Sequence, residues 1–156
     1  MGWSPVIDWQ FLGFGELTTH QLYDLLQLRS EVFVVEQACA FQDLDGADAA
    51  AYHLQGHADN QLVAYARCLG PGVRFAEASI GRVVTHPDVR ASGLGHLLVE
   101  RAVVAVGELW GEQPIRIGAQ ARLRTFYERH GFLDAGRPYV EDGIDHLEMV
   151  RQPQGH

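Results

Sequence analysis

The sequence contains no lysine: all 12 of its basic residues are arginine. That absence excludes a Schiff-base amine, the lysine of a nucleotide-binding P-loop and a lysine general base, each of which needs an ammonium group. A coding bias accounts for it as readily as any function. Cysteine is almost as scarce, with only Cys39 and Cys68. Two cysteines make no disulfide framework, and neither belongs to a C-x-x-C motif or a Cys/His cluster of metal spacing. Positive charge is in deficit, 12 basic against 20 acidic residues for a net charge of −8, the wrong sign for a protein that lives on phosphate backbones. Long apolar runs are missing as well. No stretch approaches the roughly 20 residues of a membrane span, and Met1 to Pro5 lack the basic start and apolar core of a signal peptide. The expectation is a cytoplasmic protein that binds neither nucleic acid nor membrane.

What is present is globular. Of 156 residues, 47% are apolar and 21% charged, which suits one packed domain over 1–156 with a loose tail from about residue 152. Val6 to Phe14 reads as a strand. Thr18 and Gln21 have capping-box spacing, and Leu22, Leu25, Leu26, Arg29, Val32 and Phe33 recur at helical intervals, so a helix spans about 19 to 36, in one piece or two. Phe41 to Ala49 is an acidic loop. Tyr52 to Gln55 and Leu62 to Leu69 form a hairpin across Ala58-Asp59-Asn60-Gln61. Ser79 to Thr85 is a strand stopped at His86-Pro87, Gly93 to Trp110 an amphipathic helix, and Ile115 to Ala119 a short strand. A helix from about Ala121 to His130 ends at Gly131, and Phe132 to Leu133 and Ile144 to Val150 supply the last strands. The order β-α-β-β-β-α-β-α-β-β describes a mixed α/β, or α+β, domain.

The most informative segment is Arg90-Ala91-Ser92-Gly93-Leu94-Gly95, between a strand and a helix. Its glycines permit close approach of a ligand to the backbone, and the first-turn amides with the helix dipole favour an anion. A dinucleotide fingerprint would need glycine at Leu98, and a P-loop would need lysine after its second glycine. A glycine-rich tight turn with no ligand is the plain alternative.

With Phe126-Tyr127 and Gly131-Phe132 downstream, this segment resembles the GNAT superfamily of acyl-CoA-dependent N-acetyltransferases. Arg29-Ser30-Glu31-Val32-Phe33-Val34-Val35-Glu36-Gln37, Gly118-Ala119-Gln120-Ala121 and Glu141-Asp142-Gly143-Ile144-Asp145-His146 resemble its ElaA-like branch, so the likeness covers nearly the whole chain. It implies a mixed, mostly antiparallel central sheet splayed between the fourth and fifth strands. It also implies acetyl-CoA as cosubstrate, its pyrophosphate on Arg90, Ser92, Gly93, Leu94 and Gly95 and its pantetheine arm beside Val83 and Val84. Tyr127 matches the family's tyrosine, placed to protonate the departing thiolate, and a phenol of pKa about 10 holds its proton at neutral pH. Gln120 and Leu123 stand where many members have Asn and Ala, a departure that puts the Asn contact to the pantetheine region in question and that the ElaA-like branch shares; Gln120 is a further cofactor-binding candidate.

Transfer to a primary amine needs a neutral nitrogen, and hence a base or proton path. Glu36 is the first candidate base and His146 the second, with Gln37 and Asp142 as substrate-binding residues. Each also has a structural reading: Glu36 as a solvated helix-end carboxylate, Asp142 as a turn former, His146 as a hydrogen-bonded strand residue. No cysteine or serine in the motifs is paired with a base, which favours direct attack on the thioester over an acyl-enzyme. The rival reading is a non-catalytic acyl-CoA-binding regulatory module.

The acidic group Asp43, Asp45 and Asp48, with Glu141, Asp142 and Asp145 elsewhere, could draw in a cationic amine or serve solubility alone. It does not fit a calcium loop, and His53 and His57 share no helical face, so no metal is expected. Trp3, Trp9, Trp110, Phe11 and Phe33 read as core or interface aromatics, and Cys39 as an inert thiol. The expected partner is a small-molecule or peptide amine; the sequence leaves a homodimer open.

Overall fold

The computed structural model describes residues 6–90 and 92–154; Trp3 lies outside them. In chain order the elements are β1 (Asp8–Gly13), α1 (Thr19–Arg29), β2 (Tyr52–Ala58), β3 (Gln61–Leu69), β4 (Ser79–Thr85), α2 (Leu94–Trp110), β5 (Ile115–Gln120), α3 (Arg124–Glu128), β6 (Phe132–Glu141) and β7 (Ile144–Arg151). The order matches that read from the sequence. Local chemistry explains several boundaries. The Thr18 hydroxyl accepts from the Gln21 amide at 3.0 Å while the Gln21 side chain accepts from the Thr18 amide at 2.9 Å, so α1 starts on a complete capping box. Asp59 and Asn60, both at positive φ, make the two-residue β2–β3 turn. Helix α1 continues over Ser30–Glu36 as a π-helix, the division that the 19–36 pattern left open.

Two antiparallel sheets result, one ordered β1-β2-β3-β4 and the other β5-β7-β6. They touch where β4 and β5 begin. Ala78 pairs in parallel with Ile115, and the Arg116 amide donates to the Ala78 carbonyl at 2.9 Å. Beyond that bridge the strands separate, so the splay between the fourth and fifth strands is real. A bulge in β4 contributes, since Tyr65 pairs with Val84 but Arg67 with Gly81, and Arg82 sits at φ +48°.

Helix α2 lays Leu98, Val99, Ala102 and Val106 against one face, over Leu54, Ala66, Ile80, Phe132 and Met149. On the other face Leu25, Leu28 and Val32 pack on Leu62, Tyr65 and Val84. Trp9, Phe11 and Trp110 pack against the first cluster and Phe33 against the second.

Two expectations need correction. Strand β6 does not end at Leu133 but runs to Glu141, past Gly136 and Pro138, with a register shift between Asp134 and Pro138. It is the edge of its sheet, where a proline costs no ladder bond. Asp43, Asp45 and Asp48 are neither a lure for amines nor a solvated face. Arg29, fully buried, pairs with Asp43 at 2.8 Å and Asp48 at 2.7 Å; Arg67, also buried, pairs with Asp45 and Asp48; and Arg82 pairs with Asp43 at 2.8 Å. Three arginines thus neutralise three aspartates and hold the 41–48 segment against the sheet.

Candidate active site

The wedge between β4 and β5 holds two cavities. The smaller, about 270 Å³, is lined by Glu36, Val84, Arg90, Gly95 and Phe126 among others. The larger, about 600 Å³, is lined by Asp45, Arg74, Gly118, Glu141, Asp142 and His146 among others. Phe33, Gln37, Val83, Gln120, Leu123 and Tyr127 line both. The space is therefore one passage with a throat, crossed by a hydrogen bond from Gln120 Nε2 to Gln37 Oε1 at 3.3 Å.

At the outer end of the smaller cavity lies the glycine loop. Gly93 adopts φ +81°, a left-handed conformation that side chains resist, and stands as N-cap of α2. The Ser92 hydroxyl donates to the Val89 carbonyl at 2.6 Å, which fixes the loop but occupies that proton. Leu94 turns its side chain into the core, so only its backbone is available to a ligand. A Cβ on Gly95 would sit 3.6 Å from Phe126, in ordinary contact. On the β4 side, the edge beyond Ala78 carries no strand. The backbone thus offers open first-turn amides at one end and an unpaired strand edge along the side, a combination that fits a long ligand with an anionic group and an extended amide arm.

Tyr127 sits at the throat. Its ring is held edge-on between Phe126 and Phe132, the residue is 8% exposed, and its hydroxyl takes part in no hydrogen bond among the described residues. Burial pushes its pKa up to about 12, which keeps the phenol protonated at any physiological pH.

The structure separates the two candidate bases. Glu36 lies on the smaller cavity, where its carboxylate accepts from Arg90, and it does not line the larger one. His146 lines the larger cavity. Its Nδ1 lies 2.7 Å from the Ile144 carbonyl, which can only accept, so Nδ1 carries the hydrogen and Nε2 keeps its lone pair in the neutral ring. The ring stacks on Tyr139 at 5.2 Å. Asp142, at φ +52° before Gly143, makes the β6–β7 turn, and its carbonyl accepts from the Cys39 thiol at 3.3 Å.

Sequence reasoning missed several lining residues. Arg74 comes from the irregular segment before β4, and Gly118 stands in the Gly118-Ala119-Gln120-Ala121 motif with nothing local to mark it as lining. Behind the lining, His96 Nδ1 lies 2.8 Å from His130 Nε2, and both rings pack on Phe126, which lines the smaller cavity. Burial and the neighbouring His96 hold the His130 pKa below its ordinary value. No local pattern marks these positions, because their partners are remote in the chain. Among the described residues no group of three or more His, Cys, Asp or Glu side chains is placed to share a metal ion, and no helix is long and apolar enough to cross a membrane.

A strand-splayed sheet with a glycine-loop helix and a tyrosine at the throat is the architecture of an acyl-CoA N-acyltransferase. The chain belongs to the GNAT family: residues 15–152 match the acetyltransferase (GNAT) domain model. Within that family it is similar to Protein ElaA of Escherichia coli, 41% identical over 149 residues that cover 94% of this chain and 97% of that protein. The crystal structure of E. coli ElaA superposes with a TM-score of 0.87 at 40% identity, covering 94% of this chain and 100% of the other. An acyl-CoA N-acyltransferase from Pseudomonas aeruginosa gives 0.89 at 44% identity, over 94% and 99% of the two chains.

Proposed function

We propose that the protein transfers an acetyl group from acetyl-CoA to a primary amine by direct attack of the amine on the thioester. The observation that carries this reading is Tyr127, whose unpartnered phenol lines both cavities at their junction. Arg90 and the backbone of Ser92, Gly93, Leu94 and Gly95 hold the pyrophosphate end, while Val83 and Val84 flank the arm on the open edge of β4. Acetyl-CoA supplies an activated thioester, and this chain supplies the position and the protons. The amine enters from the larger cavity, where His146 Nε2 takes its proton and Gln37 and Asp142 help position it. As the nitrogen–carbon bond forms and the carbon–sulfur bond breaks, Tyr127 donates its proton to the sulfur and recovers one from the nitrogen, which sheds its second proton as it becomes the amide. Glu36 has the different task of orienting Arg90 at the other end.

A calorimetric titration with acetyl-CoA at low and at physiological salt, followed by a thiol-release assay over a panel of amines, tests this. Saturable one-to-one binding that weakens with salt, together with thiol release dependent on an amine, is expected. Binding without release from any amine would instead favour a non-catalytic acyl-CoA-binding module, and no binding at either salt would leave the likeness one of fold alone.

A further inference from the structure

We propose that the larger cavity accepts an amine that also carries a carboxylate, and that Arg74, together with the Tyr139 hydroxyl, binds that carboxylate. This rests on the transfer to an amine argued above. Three arginines line the larger cavity, and two are already neutralised: Arg67 by Asp45 at 2.8 Å and Arg82 by Asp43 at 2.8 Å. Arg74 is the third, and no carboxylate lies within 4 Å of it among the described residues. The Tyr139 hydroxyl is shielded from solvent and, beside Arg74, which can only donate, it has no acceptor for its own hydrogen. A buried, unsatisfied hydroxyl is uncommon enough in a native structure to require a reason.

Gly118 brings the two groups together. A Cβ at that position would fall 2.2 Å from the Tyr139 hydroxyl and 2.9 Å from Arg74 Nη2. Only a glycine lets both donors share the space above β5, and an anion seated at Arg74 supplies the acceptor that the hydroxyl lacks. The planar guanidinium fork matches a carboxylate. Tyr139 also stacks on His146, so the anion site adjoins the base proposed to serve the amine. Glu141 and Asp142, which lie outside the arginine–aspartate network, line the same cavity; they suit the cationic end of a zwitterion and disfavour a dianion such as a phosphate ester.

The test uses matched amines with and without a carboxyl group, such as lysine with cadaverine and phenylalanine with phenethylamine, within a broader panel of such pairs. Thiol release gives kcat/KM for each, and acetyl-CoA Kd is measured in parallel. The wild-type protein is expected to prefer the carboxylated member by about 10- to 100-fold, a ratio that falls towards one in Arg74→Ala, recovers in part in Arg74→Lys and falls less steeply in Tyr139→Phe. Equal turnover of both members by the wild type would overturn this proposal and leave the transferase reading standing. A preference that survives Arg74→Ala would also overturn it, by placing the carboxylate elsewhere. Acetyl-CoA binding with no release from any amine would remove both readings together.

Discussion

The two cavities that meet at Tyr127 are built by different rules. The smaller one ends at Arg90 and residues 92–95, where what is offered to a ligand is backbone: Gly93 at φ +81°, free first-turn amides, and an open strand edge beside them. The larger one is a composite of side chains from the 37–47 segment, β3, the segment before β4, β5 and the β6–β7 turn. One wall of it is held by ion pairs, since Arg29 grips Asp43 and Asp48 from behind while Asp45 reaches the cavity. A cavity made of backbone serves one invariant ligand, whereas a cavity made of remote side chains can be altered for a particular acceptor without disturbing the other.

The largest break in that comparison comes from the wall. Arg29→Leu leaves Asp43 and Asp48 with fewer partners in a dry environment, and about 3–5 kcal/mol of stability is expected to be lost, read as a lowered denaturant midpoint at unchanged m-value. Full stability in that variant would show that the network is ornamental. Next is the backbone cavity: Gly93→Asp adds a strained side chain and a like charge at the anion end, and acetyl-CoA affinity is expected to fall about 100-fold while the strain lowers the melting temperature by only about 2–4 °C. Unchanged affinity would move the pyrophosphate elsewhere.

These two predictions also mark what was legible. The element order, the splay, the glycine loop and Tyr127 could be read because each depends on a local pattern or on a motif in fixed order. The arginine–aspartate network could not, since Arg29, Arg67 and Arg82 lie 14 to 39 residues from their partners. The acidic group therefore looked like free charge. Strand β6 was hidden by Gly136 and Pro138, which signal a turn unless the strand is known to be an edge. Glu36 and His146 were indistinguishable by spacing, and only the ion pair with Arg90 and the Nδ1 contact to Ile144 tell them apart.

A smaller effect sharpens the account of the wall. The Arg67 guanidinium holds Asp45 below the usual carboxylate range, and Arg29 and Arg67 do the same for Asp48 despite burial. A depressed folded-state pKa contributes stability that is complete above the unfolded value of about 3.9 and fades as pH falls towards the folded one. Stability is therefore expected to decline below about pH 4, and Asp45→Asn to flatten part of that decline. An identical acid profile in the variant would exclude Asp45 as a contributor. The least effect is expected from Glu36→Gln, which removes the half-exposed pair with Arg90: about 0.2–1 kcal/mol of stability and a modest weakening of acetyl-CoA binding, with turnover at saturating acetyl-CoA retained. A collapse of turnover there would restore Glu36 as the base.

The throat itself is tested most directly by Tyr127→Phe, with kcat from thiol release and acetyl-CoA Kd from calorimetry on the same preparation. The hydroxyl makes no hydrogen bond that holds the fold, so its loss is expected to lower kcat about 10- to 1000-fold while Kd stays within a few-fold of the wild type. Unchanged kcat would take Tyr127 out of the proton path and contradict the account.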